Sequence, residues 1–171
     1  NLQSAIFVNK YDKDGTFIYG RFYKGGHGNP KLTIDNNNNI IIVGNYINYN
    51  GYNTDFDLSN QVYYLTAGSG WYENYGFILK NDEDGKFIWV KYISGWNSVN
   101  MNSLKTDSKN NILTLSNNES FFNFNGEKEY RNIGSTTEEN YLCKIDPDGN
   151  FVWAQNFGGN NSYLVWDTQA F

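Results

Sequence analysis

The stretch FILKNDEDGKFIWVKYISGW, residues 77–96, decides the fold. Its first half is an apolar run ending at Asn81, its centre is Asp82-Glu83-Asp84-Gly85, and its second half is apolar again. Asp at the first turn position accepts a local hydrogen bond, and Gly at the fourth takes the left-handed conformation that leads into a bulge. The stretch therefore reads as a β-hairpin. It occurs twice more. FVNKYDKDGTFIYGRFYKGG begins at Phe7 and YLCKIDPDGNFVWAQNFGGN at Tyr141, 70 residues before and 64 residues after Phe77. Asp12-Lys13-Asp14-Gly15 and Asp146-Pro147-Asp148-Gly149 fill the same turn frame, and Pro147 presets φ at the second position.

A second hairpin alternates with the first. LTIDNNNNIIIVGN begins at Leu32 and LKTDSKNNILTLSN at Leu104, 72 residues apart. Their turns, Asp35 to Asn39 and Asp107 to Asn111, use the tolerance of Asn for left-handed geometry. The connecting segments match more loosely: TDFDLSNQVYYLT (54–66) against FNFNGEKEYRNIG (122–134). The strands are apolar on both faces. Phe87, Trp89 and Ile93 are expected to point one way and Ile88, Val90 and Tyr92 the other. Phe151, Trp153 and Phe157 oppose Val152 and Ala154 in the same way, and Ile40 and Ile42 oppose Ile41 and Val43. A strand apolar on both faces belongs to a sheet covered on both sides, so stacked sheets are implied.

The expected fold is all-β: tandem four-stranded antiparallel blades of a β-propeller. The chain reads as a single repeat domain, 1–171. Its parts are a hairpin at 7–26, a hairpin at 32–45, a loop region plus hairpin at 54–95, a hairpin at 104–117 and a loop region plus hairpin at 122–159. The segment SYLVWDTQAF, 162–171, reads as the start of the next blade. That makes about two and three-quarter blades, where propellers have roughly four to eight.

In this order the motifs resemble the bacterial β-propeller repeats called SBBP repeats. LTIDNNNNIIIVGN, TDFDLSNQVYYLTAGSG and YGFILKNDEDGKFIWVKYISG follow one another as that family's Asp-ending strand, Phe-Asp stretch and Lys-x-Asp-x-x-Gly hairpin. Two departures stand out. Ser116-Asn117 replaces the Gly44-Asn45 of the earlier copy, and Tyr19 stands where Trp is expected. The resemblance implies a surface or secreted protein, so an extracellular or cell-surface location is expected.

Composition narrows the function classes. Aromatic residues make up 18% of the chain and charged residues 18%, against about 25% charged in an average soluble domain. Aromatics with Asn and Gly suit short strands and tight turns rather than long helices. The net charge of −5 argues against nucleic acid, whose phosphates need a basic face. No apolar stretch approaches the ~20 residues of a membrane span, so no membrane insertion is expected. Residues 1–15 lack the charged start and apolar core of a signal peptide. Cys143 is the single cysteine, so no intrachain disulfide forms; in the alternating YLCKI it reads as a core residue.

No catalytic, metal or cofactor constellation emerges. The Asp-x-Asp-Gly turns lack the third acidic position and distant Glu of a calcium loop. Two carboxylates on a solvated hairpin tip lack the cleft that acid/base chemistry needs. A sialidase Asp-box is out of register, since Asp148 directly precedes Gly149 and Trp153 lies four residues after it. His27, the only histidine, reads as a surface loop residue in KGGHGNP, and no helix follows those glycines to make a dinucleotide site. Exposed aromatics are the more suggestive feature. Trp71, Tyr72 and Tyr75 fall in GSGWYENYG and Trp96 in SGWNS, and aromatic faces beside polar side chains suit sugar binding. Two glycosylation sequons start at Asn118 and Asn160, both in expected loops.

The leading expectation is a non-enzymatic extracellular repeat module, structural or adhesive, that works by self-association, by partner binding or as part of a longer chain. A carbohydrate-binding propeller is the alternative. A polysaccharide-active enzyme with a site in the central channel is the remaining class.

Overall fold

The computed structural model describes residues 4–47, 54–65, 74–95, 99–119, 121–126, 128–131 and 138–157. All regular structure among them is β. The strands are β1 (Ala5–Tyr11), β2 (Phe17–Lys24), β3 (Gly26–Ile34), β4 (Ile40–Ile47), β5 (Asn74–Asn81) and β6 (Phe87–Ser94). They continue as β7 (Val99–Thr106), β8 (Ile112–Glu119), β9 (Phe121–Phe124), β10 (Lys128–Arg131), β11 (Glu138–Ile145) and β12 (Phe151–Phe157). No helix of the described residues is long and apolar enough to cross a membrane.

Three antiparallel sheets form. One is the β1–β2 hairpin, one is six-stranded in the order β10-β9-β6-β5-β4-β3, and one is four-stranded in the order β12-β11-β8-β7. Within the six-stranded sheet, β3 to β6 run as an up-and-down meander, and β7, β8, β11 and β12 have the same order in the last sheet. The sheet expected to have four strands has six because β9 pairs with the edge strand β6, through Ile93 opposite Phe124 and Ser94 opposite Asn123. The segment joining β8 to β11 thus extends the neighbouring sheet. Among the described residues no ring of sheets closes.

The turns form as their residues dictate. Gly15, Gly85 and Gly149 have φ of 83°, 75° and 87°. Asp82 Oδ1 accepts the N–H groups of Asp84 and Lys86 at 2.9 and 2.8 Å. Asp12 and Asp146 do the same in their turns. In the other hairpins Asn38 and Asn110 take φ of 62° and 63°. Asp35 Oδ1 accepts the Asn37 and Asn39 N–H groups there, and Asp107 Oδ1 those of Lys109 and Asn111.

The six-stranded sheet is covered on both faces. Ile40, Ile42, Phe77, Leu79 and Val90 pack with Ile6 and Tyr23 of the β1–β2 hairpin, joined by Phe56 from the 54–65 connection. Ile41, Val43, Ile78 and Ile93 pack with Met101, Leu104, Ile112, Cys143 and Ile145 of the four-stranded sheet, joined by Phe122 and Phe124. The described residues therefore form three layers in chain order, with a core between each adjacent pair. One expected facing is corrected. Phe87 packs with Val90 and Tyr92, not with Trp89 and Ile93, and Phe151 packs with Ala154. The cause is the bulge. Lys80 pairs Trp89 but Asn81 pairs Phe87, so Ile88 is extra and exposed. Val152 is extra and exposed for the same reason.

Candidate functional site: an exposed sheet face and the groove beside it

The three copies of the first hairpin place equivalent residues in different surroundings. Phe77 is 0% exposed and Tyr141 2%, each in the core against the preceding layer. Phe7, at the same repeat position, is 68% exposed. Its cross-strand partner Phe22 is exposed too. Tyr11 and Phe17 pair next to the turn, edge to face at 5.7 Å, and both are exposed. The outer face of the first layer is thus a row of four aromatic rings in water.

Beside this face lies a groove of about 440 Å³. Val8, Lys10 and Tyr11 of β1 form one wall, Leu32 and Ile34 of β3 the other, and Asn38 and Glu83 close it at the turns. Among the described residues β1 pairs with β2 alone, so the other backbone edge of β1 lines this groove. Leu32 is 50% exposed, whereas Leu104, its equivalent in the next layer, is 6% exposed and packs in the core with Ile41 and Val43.

A lysine recurs at each layer. Lys80 lies 3.1 Å from the Asp35 carboxylate, with side chains only 6% and 0% exposed, and donates to the Pro147 carbonyl of the next layer at 3.0 Å. Trp89 Nε1 donates to the same carbonyl at 3.2 Å. Lys144 lies 2.9 Å from the Asp107 carboxylate. Lys10 donates to the Glu83 carbonyl at 2.6 Å, the counterpart of the Lys80 bond. Burial works to raise the Asp35 carboxyl, but hydrogen bonds from Asn39, Lys80 and Asn37 outweigh it and hold the group below its ordinary value. Asp107 is depressed by the same balance, with Lys144 and Asn111 as its donors. At the Trp89 position of the first layer, Tyr19 packs against Gly85, and its buried hydroxyl has no hydrogen-bond partner among the described residues.

The sequence-derived candidates are scattered. Tyr75 is corrected: it lies in β5, 2% exposed, stacked on Tyr46 at 5.4 Å between ring centroids. The alternation of β5 turns it into the core beneath the first layer, so it offers no face to a sugar. Trp71, Tyr72 and Trp96 lie outside the described residues, as does Asn160. Asn118 lies in β8, between β7 and β11, rather than in a loop. His27 is likewise not in a loop but in β3, opposite Asn45. Cys143 is a core residue, and burial pushes its thiol up. Among the described residues no cluster of His, Cys, Asp and Glu is arranged to hold a metal ion. The first Asp of each Asp-x-Asp-Gly turn already spends one oxygen on two N–H groups. The lysine series was overlooked, although its signal is visible: Lys10, Lys80 and Lys144 each stand two residues before the turn Asp at the same repeat position.

No protein-family model matches the chain, and no curated protein is significantly similar to it.

Proposed function

We propose that this chain is a non-enzymatic repeat module of β-propeller type, structural or adhesive, which acts outside the cell or at its surface by stacking sheet faces against a neighbour. The observation that carries this reading is the Phe7 series. The position is buried under a preceding layer in two copies and exposed in the third. Burying one Phe side chain contributes about 1.5–3 kcal/mol, and two pairs of exposed rings on one face make a patch of the kind that marks an interaction surface. The tandem hairpins, which stack at constant polarity, and the resemblance to surface repeats support the same reading.

The test is light scattering after size exclusion, on the wild type and on Phe7→Glu combined with Phe22→Glu. The wild type is expected to associate with rising concentration. The variant is expected to run at the single-chain mass of 19.7 kDa with an unchanged circular dichroism spectrum. A wild type that stays at that mass at all concentrations refutes self-association through this face.

A further inference from the structure

The three lysines point to a specific occupant for the groove. In each later layer the carboxylate that meets the lysine comes from a neighbouring hairpin turn. Asp35 opens the β3–β4 turn, and β4 pairs with the strand of Lys80, Ile41 opposite it. Asp107 opens the β7–β8 turn, and β8 pairs with the strand of Lys144, Leu113 opposite it. Lys10 has the matching carbonyl contact, but no carboxylate among the described residues lies within ion-pair distance of it. The turns also touch between layers. The Asn36 N–H donates to Asn110 Oδ1 at 2.9 Å. Asn38 is the equivalent of Asn110 and lines the groove, exposed.

We propose that the groove along β1 accepts a β-hairpin of the same repeat type as β3–β4 and β7–β8, presented by a neighbouring repeat. One strand of the hairpin adds antiparallel to the edge of β1 that pairs with no described strand. Its turn Asp meets Lys10, the residue after that Asp donates its N–H to Asn38 Oδ1, and its apolar strand face covers Leu32 and Ile34. Charge complementarity and continuity with two existing interfaces select this occupant over a generic apolar ligand. The inference deepens the stacking reading and rests on it. The two fail separately, because a chain that stays monomeric can still capture a hairpin.

The test uses a fluorescein-labelled peptide of residues 102–119, NSLKTDSKNNILTLSNNE, titrated by anisotropy against the full chain. Saturable one-to-one binding is expected. The Asp107→Asn peptide is expected to bind about tenfold more weakly or worse, the scale of a hydrogen bond to a charged group. Against Lys10→Met protein the two peptides are expected to bind alike, a coupling that general loss of structure does not produce. Asn38→Gly keeps the left-handed turn and is expected to weaken both peptides. An isolated hairpin is marginally stable, so a second measurement fuses residues 102–119 to the N-terminus through a flexible linker. A raised thermal midpoint that is lost on Asp107→Asn in the added hairpin supports the proposal. Absence of both peptide binding and fusion stabilisation overturns it. So does equal binding of the Asp and Asn peptides by wild-type protein. A concentration-dependent dimer that leaves no peptide site also overturns it, and assigns the groove to a second copy.

Discussion

Replacing each of the three repeat lysines by Met is expected to give a graded loss of stability, set by surroundings rather than by residue type. At Lys80 the loss is large. Asp35 is fully buried and Lys80 nearly so. Lys80→Met strands a carboxylate in the interior and also removes the bond to Pro147. Breaking a buried pair by deleting one partner costs about 3–5 kcal/mol. In a chain of 171 residues each kcal/mol moves the melting midpoint by about 2–4 °C, so a fall of roughly 6–20 °C is expected. At Lys144 the side chains are 25% and 28% exposed. Solvent screens that pair, and the cost is about 1 kcal/mol. At Lys10 no carboxylate of the described residues is involved, and the loss of the carbonyl contact costs about 1 kcal/mol or less. Urea denaturation followed by circular dichroism measures all three. One molar salt should reduce the Lys144 effect and leave the Lys80 effect largely intact. Three equal losses, or a Lys80→Met loss below that of Lys144→Met, would show that the buried pair does not set the cost of losing Lys80. A double-mutant cycle with Asp35→Asn isolates the coupling, and a coupling near zero would have the same meaning.

Acid should act through the depressed carboxyls. Asp35, Asp107 and Asp146 have folded values below their unfolded ones. Their stabilisation is fully present above about pH 4 and is lost as pH falls through the lower folded values. Denaturant midpoints measured from pH 7 down to pH 2.5 should be flat and then drop below about pH 4, and Asp35→Asn should shallow that drop; a midpoint that declines between pH 7 and pH 5 would contradict it. Cys143, buried with its thiol pushed up, should resist a thiol reagent in native buffer and react at once in denaturant, and rapid native labelling would contradict its place in the core. Tyr19→Trp should place an indole N–H where Trp89 carries its own, within reach of the Glu83 carbonyl as Trp89 is of Pro147. A gain of about 1 kcal/mol is expected from that bond. A loss of about 1–3 kcal/mol, the signature of overpacking, would show that the first interface is not spaced like the second.

The local chemistry of this fold was legible. Asp and Gly at fixed turn positions, Asn in left-handed turns and strands apolar on both faces gave hairpins in stacked sheets, because each follows from one or two residues and their neighbours. What escaped depends on register and on contacts distant in sequence. The bulge after each Asp-x-x-Gly turn shifts one residue out of alternation, so Phe87 and Phe151 changed faces while Ile88 and Val152 went to solvent. Tyr75 looked like a loop aromatic because Gly and Asn surround it, yet it already belongs to β5. The pairing of β9 with β6 rests on two residue pairs about thirty positions apart, and no local pattern announces it. A buried lysine is the hardest to read. Lys80 stands in an apolar run where a solvated charge is the ordinary expectation, and only the turn Asp beside it in space makes it tolerable.

Among the described residues each core lies between layers adjacent in chain order, as in a one-dimensional stack. Every interface repeats one device. A turn carbonyl of the later layer, Glu83 or Pro147, receives the lysine of the earlier one, and a Gly of the same turn, Gly85 or Gly149, sits against its aromatic ring. The device has a direction, because the donors lie on the earlier layer and the acceptors on the later. Exposure at the first layer follows from that direction and not from residue choice. Phe7 and Tyr11 of the first layer are exposed, as is Leu32 on β3 of the second, whereas the equivalents Phe77, Ile145 and Leu104 are all buried. Phe7 is in register with two buried rings, Phe77 and Tyr141, and Phe17 with the half-buried Phe87 and Phe151. On the stacking reading proposed above, the complement of this face is the trailing side of another such layer.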